Sequence, residues 1–167
     1  ANPAMTHEMQ ILVVNDNQAE LDTLVQGLTD EGFSTCGTTS PHRALEILSE
    51  TNFEVALIDL MISKINGLKF ARMLHNKFPQ LVTLLISDYL LSPAQLSKAD
   101  TGAVGFIPTS CCFHAMAEFV REKIASQKTK KENTGTTRYP SRNSKLPFDI
   151  VAVQNSSETM VEAVTTR

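Results

Sequence analysis

Short apolar runs recur along the chain, each closed by polar residues and followed by a segment whose apolar positions fall at helical spacing. Ile11-Leu12-Val13-Val14 ends at Asn15-Asp16-Asn17, Val55 to Leu60 carries Asp59 near its end, Val82 to Ile86 ends at Ser87-Asp88, and Val104 to Pro108 ends at Thr109-Ser110. Apolar runs without alternation predict strands covered on both faces. Phe33 to Thr38 is β-prone but broken by Gly37 and reads as a shorter or edge strand. Between these runs, Leu21, Leu24, Val25 and Leu28 mark a helix that Gly32 stops. Ser40-Pro41 opens another, a capping hydroxyl followed by proline at the first helical position. Leu68, Ala71 and Leu74 continue from Asn66-Gly67 as a third, ended by Phe78-Pro79, and Ser92-Pro93 opens a short fourth. A last helix places Phe113, Met116, Val120 and Ile124 on one face, with Glu118, Arg121, Glu122 and Lys123 toward water. Strand and helix alternating in this way predict right-handed crossovers and a five-stranded, doubly wound parallel sheet of the α/β class.

The pattern sets domain limits: a leader over residues 1–9, one domain over 10–125, and a change of composition after it. Lys128, Lys130, Lys131, Arg138, Arg142 and Lys145 face a single acid, Glu132, amid Ser, Thr, Asn, Gly and Pro, so residues 126–147 read as a basic flexible linker. Such a linker either touches an acidic partner or nucleic acid or is simply solvated. Residues 148–167 hold a short apolar run from Phe148 to Val153 and a capping-box spacing at Thr159 and Glu162. They read as a short tail, a small strand and helix packed on the main domain, or as the start of a further one.

A formal net charge of −3 gives the molecule as a whole no grip on nucleic acid. Cys36, Cys111 and Cys112 form no disulfide framework and no metal-ligand spacing with the histidines, which suits reduced thiols in a cytoplasmic protein. No apolar run approaches the roughly 20 residues of a membrane span.

In an open α/β sheet, ligands bind outside the carboxyl ends of the strands. Asp59 emerges there, either as a chemical group or as a turn cap. Asn15-Asp16, Ser87 and Thr109 reach the same lip, and Asn17 is accounted for as a helix cap. Two carboxylates held close repel unless a cation sits between them, and an oxygen-rich site suits magnesium. A carboxylate beside that ion is a plausible phosphoryl acceptor, with hydroxyls at Ser87 and Thr109 able to donate to the phosphoryl oxygens. No glycine-rich phosphate loop follows the first strand, which argues against a nucleotide site.

With Ile11-Leu-Val-Val-Asn-Asp16, Leu57-Ile-Asp59, Asn66-Gly67, Ile86-Ser87 and Gly105-Phe-Ile-Pro in this order, the segment from Ile11 to Ile124 resembles a receiver domain of two-component response regulators, a flavodoxin-like fold. The resemblance implies Asp59 as phosphoacceptor, Mg2+ held by Asp16, Asp59 and the backbone carbonyl of Met61, and Asn15 acting on the metal through a water. It implies Ser87 as the phosphoryl-binding hydroxyl and Phe106 as an aromatic switch that turns inward when Ser87 moves. The chain would then be a phosphorylated signalling protein and not an enzyme. Its partners would be a histidine kinase or phosphotransfer protein and, through the fourth and fifth helices, a second copy; the receiver domain itself would contact neither nucleic acid nor membrane. Three residues depart from the family. Asn15 replaces an acid, Asp88 stands where a small residue is usual, and Thr109 stands where the family's lysine falls. These departures support an alternative, a pseudo-receiver that binds partners without phosphate. Transcription regulation fits the resemblance, while the output domain is not legible.

Overall fold

The computed structural model describes residues 9–62, 65–88, 94, 101–132 and 149–150. Its strands are β1 (Gln10–Val14), β2 (Ser34–Thr38), β3 (Val55–Asp59), β4 (Val82–Ser87), β5 (Gly105–Pro108) and β6 (Asp149–Ile150). Its helices are α1 (Gln18–Asp30), α2 (Pro41–Glu50), α3 (Gly67–Lys77) and α4 (Phe113–Glu132). All strand pairs are parallel, in the order β2-β1-β3-β4-β5-β6. The five-stranded doubly wound sheet expected from the apolar runs is therefore present, with β2 on one edge and the two-residue β6 added beyond β5. The fourth helix expected from Ser92-Pro93 lies outside the described residues.

Successive residues of each strand point to opposite faces, so the central strands build two cores. Ile11, Val13, Leu57, Leu84, Ile86 and Ile107 face α1 and α4, meeting Leu24, Leu28, Met116 and Val120. Leu12, Val14, Ala56, Ile58, Leu85 and Phe106 face α2 and α3, meeting Ala44, Leu48, Phe70 and Leu74. This two-sided burial explains why the strands read as continuous apolar runs.

The helix ends follow local chemistry. Asn17 caps α1 by accepting from the N–H groups of Ala19 and Glu20, and Gly32 leaves it with φ +96°, a left-handed conformation that glycine adopts without cost. The Ser40 hydroxyl accepts from Arg43 N–H with Pro41 at the first position of α2, and Asn66 caps α3 through Leu68 N–H.

Two expectations are adjusted. The last helix continues to Glu132, past the composition break at residue 125, because Gln and Lys are good helix formers even without a buried face; Lys128 Nζ lies 3.5 Å from Glu54 Oε1. Lys123 is not a water-facing residue: it is 7% exposed, with its ammonium 5.2 Å from the centre of the Phe119 ring.

Candidate functional site

The parallel register delivers the strand ends to one lip. Val14 pairs with Ile58, Asp59 with Ile86, and Ser87 with Pro108. Beyond the last pairs, Asn15 N–H donates to the Thr38 carbonyl at 3.2 Å, Leu60 N–H to Ile86 at 2.9 Å, and Thr109 N–H to Ser87 at 3.2 Å. Asn15, Asp59, Ser87 and Thr109 thus leave neighbouring strands on the same edge, with Asp16 in the turn that follows β1. Phe106 lies further back along β5, inside the sheet.

Asp59 is 8% exposed, and its Oδ1 accepts from Met61 N–H at 2.7 Å. Burial pushes its pKa above the ordinary carboxylate value; the Met61 N–H opposes this, and the nearby carboxylates of Glu20, Asp16 and Asp88 reinforce it. The acid is held in place at an electrostatic cost.

Gly67 explains how α3 fits against this acid. A Cβ there would lie 2.5 Å from the Asp59 carbonyl oxygen and 2.7 Å from that of Leu60, so only glycine lets the first turn of α3 abut the end of β3.

Asn15 is 1% exposed. Its carbonyl accepts from Asn17 N–H at 2.8 Å and its amide donates to Glu20 Oε2 at 3.1 Å. The Asn17 N–H fixes which end of the amide is oxygen, because a donor cannot be aimed at the NH2 group. Glu20 is the third residue of α1, where a capping-box acid would reach back to the N–H of the cap residue. Asn15 already takes that N–H, so the Glu20 carboxylate turns to Asn15. Glu20 did not emerge from the sequence as a site residue; its spacing from the polar trio at the end of β1 was the available signal.

Ser87 is buried and Asp88 and Thr109 are exposed. Asp88 therefore stands beside the strand ends without filling them. Phe106 is 1% exposed and packs with the α2 and α3 core, so the ring already occupies the inward position that the resemblance assigns to the switched state. Asp88, Thr109, Asn15 and Glu20 line a cavity of about 590 Å³ between α1 and the β5–α4 turn.

Among the described residues no three His, Cys, Asp or Glu side chains are grouped closely enough to hold a metal by themselves. What the edge offers is two acids, Asp16 and Asp59, with backbone and amide oxygens beside them. That donor set fits magnesium, which takes one or two carboxylates, keeps several waters and shares phosphate oxygens.

The sequence profile of the response regulator receiver domain matches residues 11–121. The chain belongs to that family. This receiver domain is 26% identical over 102 residues to the alginate biosynthesis transcriptional regulatory protein AlgB of Pseudomonas aeruginosa, covering 61% of this chain and 23% of the relative. It is 23% identical to the response regulator MprA of Mycobacterium avium, covering 75% of this chain and 54% of that one. The chain thus spans from under a quarter to about half of the length of these curated relatives. Among solved structures, a CheY-like receiver domain from Methanospirillum hungatei JF-1 aligns with a TM-score of 0.67 at 22% identity, covering 74% of this chain and 98% of that one. TrrA from Thermotoga maritima, solved in complex with Mg(2+)-BeF, aligns at 0.62 with 23% identity, covering 69% and 98%. Among the described residues of this receiver domain, no helix is long and apolar enough to cross a membrane.

Proposed function

We propose that this receiver domain accepts a phosphoryl group on Asp59 from a phosphohistidine of a histidine kinase or phosphotransfer protein in the cytoplasm. The observation that carries this reading is a buried carboxylate at the carboxyl edge of the sheet, oriented by Met61 N–H at 2.7 Å and flanked by Asp16 and the end of the Ser87 strand. Asp16, Asp59 and the Met61 carbonyl are the residues to hold Mg2+. Asn15 keeps a second lone pair on its carbonyl for a metal-bound water. Bound magnesium supplies positive charge against the phosphoryl oxygens.

Transfer forms a bond between an Asp59 oxygen and phosphorus as the donor's phosphorus–nitrogen bond breaks; the departing imidazole keeps the electron pair and takes up a proton. The phosphoryl group stays on the chain, so the domain is a substrate of its partner and not an enzyme with turnover of its own. The Ser87 hydroxyl donates to a phosphoryl oxygen and moves toward it; Phe106, already inside the core one strand away, feels that movement through its packing and not by turning inward. The change is carried to the face of β5 and the helices beside it, the surface through which two copies would pair.

A second reading is favoured by one observation: among the described residues, the charged groups that act on Asp59 are acids, Glu20, Asp16 and Asp88. An acceptor so surrounded stays unphosphorylated unless a cation arrives, and the domain then works as a pseudo-receiver, by binding partners. Incubation with Mg2+ and acetyl phosphate separates the readings. Gain of one phosphoryl group in intact mass, absent in Asp59→Asn, supports the acceptor; no gain at saturating donor supports the pseudo-receiver.

A further inference from the structure

Among the described residues, the charges that act on Asp59 are those of Glu20, Asp16 and Asp88, all negative, and the cavity lined by Glu20 and Asp88 has the chemistry to receive a positive one. Its floor is apolar, formed by Leu24, Phe113 and Met116 together with Cys111, whose thiol is pushed up to about 11 by burial and is therefore protonated and unreactive. Its mouth carries two exposed carboxylates, Glu20 and Asp88, beside the Thr109 hydroxyl. None of the described residues lining it is basic. A volume of about 590 Å³ exceeds the needs of one long side chain and is within the usual range of a ligand cleft.

We infer that this cavity is a docking pocket for a lysine or arginine side chain presented by a partner protein, which brings to the strand edge a positive charge that the described lining residues do not supply. The aliphatic stem of such a residue lies against Leu24 and Met116, as long basic side chains bury their methylenes along apolar surface. Its head meets Glu20 and Asp88, giving charge-assisted hydrogen bonds. A purely apolar side chain would leave both carboxylates beside an uncharged group with no gain. A cation seated there also opposes the effect of these acids on Asp59, so docking and the chemistry of the acid are coupled through charge. The inference takes the partner of the proposed acceptor site one step further and rests on that reading only for the consequence at Asp59.

The test uses the full chain and two probes with the same stem, n-butylguanidinium and n-butanol, titrated at constant ionic strength while amide resonances are followed by NMR. Saturable shifts at Asn15, Glu20 and Thr109 are expected with butylguanidinium and not with butanol at equal concentration. Two exposed ion pairs are modest, so Glu20→Gln with Asp88→Asn should weaken binding about three- to tenfold. Thr109→Lys, a surface change that places a cation in the mouth, should abolish it. Non-saturating shifts, equal binding of butanol, or a charge-neutral variant that binds like the natural protein each overturn the inference. Phosphate uptake is no part of this readout: a chain that binds butylguanidinium yet never takes up phosphate sinks the acceptor reading and leaves the pocket standing.

Discussion

Gly67→Ala sets two physical effects against each other, and the structure decides the sign. On propensity alone alanine in a helix is favoured over glycine by up to about 1 kcal/mol. The added Cβ, however, would sit 2.5 Å from the Asp59 carbonyl oxygen, 2.7 Å from the Leu60 carbonyl oxygen and 2.8 Å from Leu60 Cα. All three are backbone atoms of β3 and the residue after it, and none can rotate away as a side chain would. Forcing a methyl into a closed site costs about 1 to 3 kcal/mol. Pushing α3 back also weakens the bond from Gly67 N–H to the Leu60 carbonyl, 3.2 Å long here, worth about 0.5 to 1.5 kcal/mol. The net expectation is a loss of about 1 to 3 kcal/mol, since the clash and the lost bond outweigh the propensity gain. Urea unfolding followed by circular dichroism reads this as a lower midpoint with an unchanged slope. A midpoint equal to or above that of the natural protein would refute the close approach of α3 to β3, and with it the account of how Asp59 is placed.

Further outcomes follow from the same geometry. Because burial and neighbouring acids raise the Asp59 pKa, the stability this residue contributes is complete below its ordinary value of about 4 and is lost as pH rises through the raised value. Asp59→Asn should therefore melt higher than the natural protein at pH 7, with the difference shrinking in acid; a constant difference from acid to neutral pH would contradict it. Mg2+ should raise the melting temperature of the natural protein and leave Asp59→Asn unmoved, since only a folded site with both acids binds the ion. Thr109→Lys adds a cation at the strand edge and should speed acetyl phosphate labelling of Asp59 by about one to two orders of magnitude, measured by mass spectrometry. Phe106→Ala removes a ring that is 1% exposed and should cost about 3 to 5 kcal/mol in urea unfolding, which a change under about 1 kcal/mol would contradict.

The architecture was legible because it is written in apolar runs and caps. β1, β3 and β4 are buried on both faces, so nothing in their sequence competes with the strand reading, and Asn17, Ser40-Pro41 and Asn66 mark helix starts by a mechanism that needs no tertiary context. The end of α4 was less legible: beyond residue 125 its residues are all polar, and composition alone does not separate a solvated helix from a linker. Lys123 shows the complementary gap, since a lysine whose stem is buried against a helix has no signature in a polar-face count. The apolar run from Phe148 to Val153 offered a small strand on the main domain, but two residues carry no period, so the pairing of β6 with β5 was not legible.

At the site, Asp16, Asp59, Ser87 and Thr109 could be assembled in advance because each stands where a buried strand gives way to polar residues. Glu20 escaped because its role depends on a hydrogen-bond exchange: Asn15 takes the N–H that a capping acid would take, and only coordinates show where the freed carboxylate goes. The tight fit at Gly67 was hidden for a similar reason, since Asn66-Gly67 reads as a turn and a cap before the neighbouring carbonyls of β3 are known.

The most direct test of Asp59 as acceptor is the amide spectrum of the full chain on adding Mg2+ and beryllofluoride, a stand-in for a phosphoryl group on a carboxylate. Saturable shifts at Asp59, Ser87, Phe106 and Thr109 are expected, and they should vanish in the Asp59→Asn variant. A spectrum unchanged at saturating concentrations, or identical changes in the Asp59→Asn variant, would contradict the claim that this acid is the acceptor.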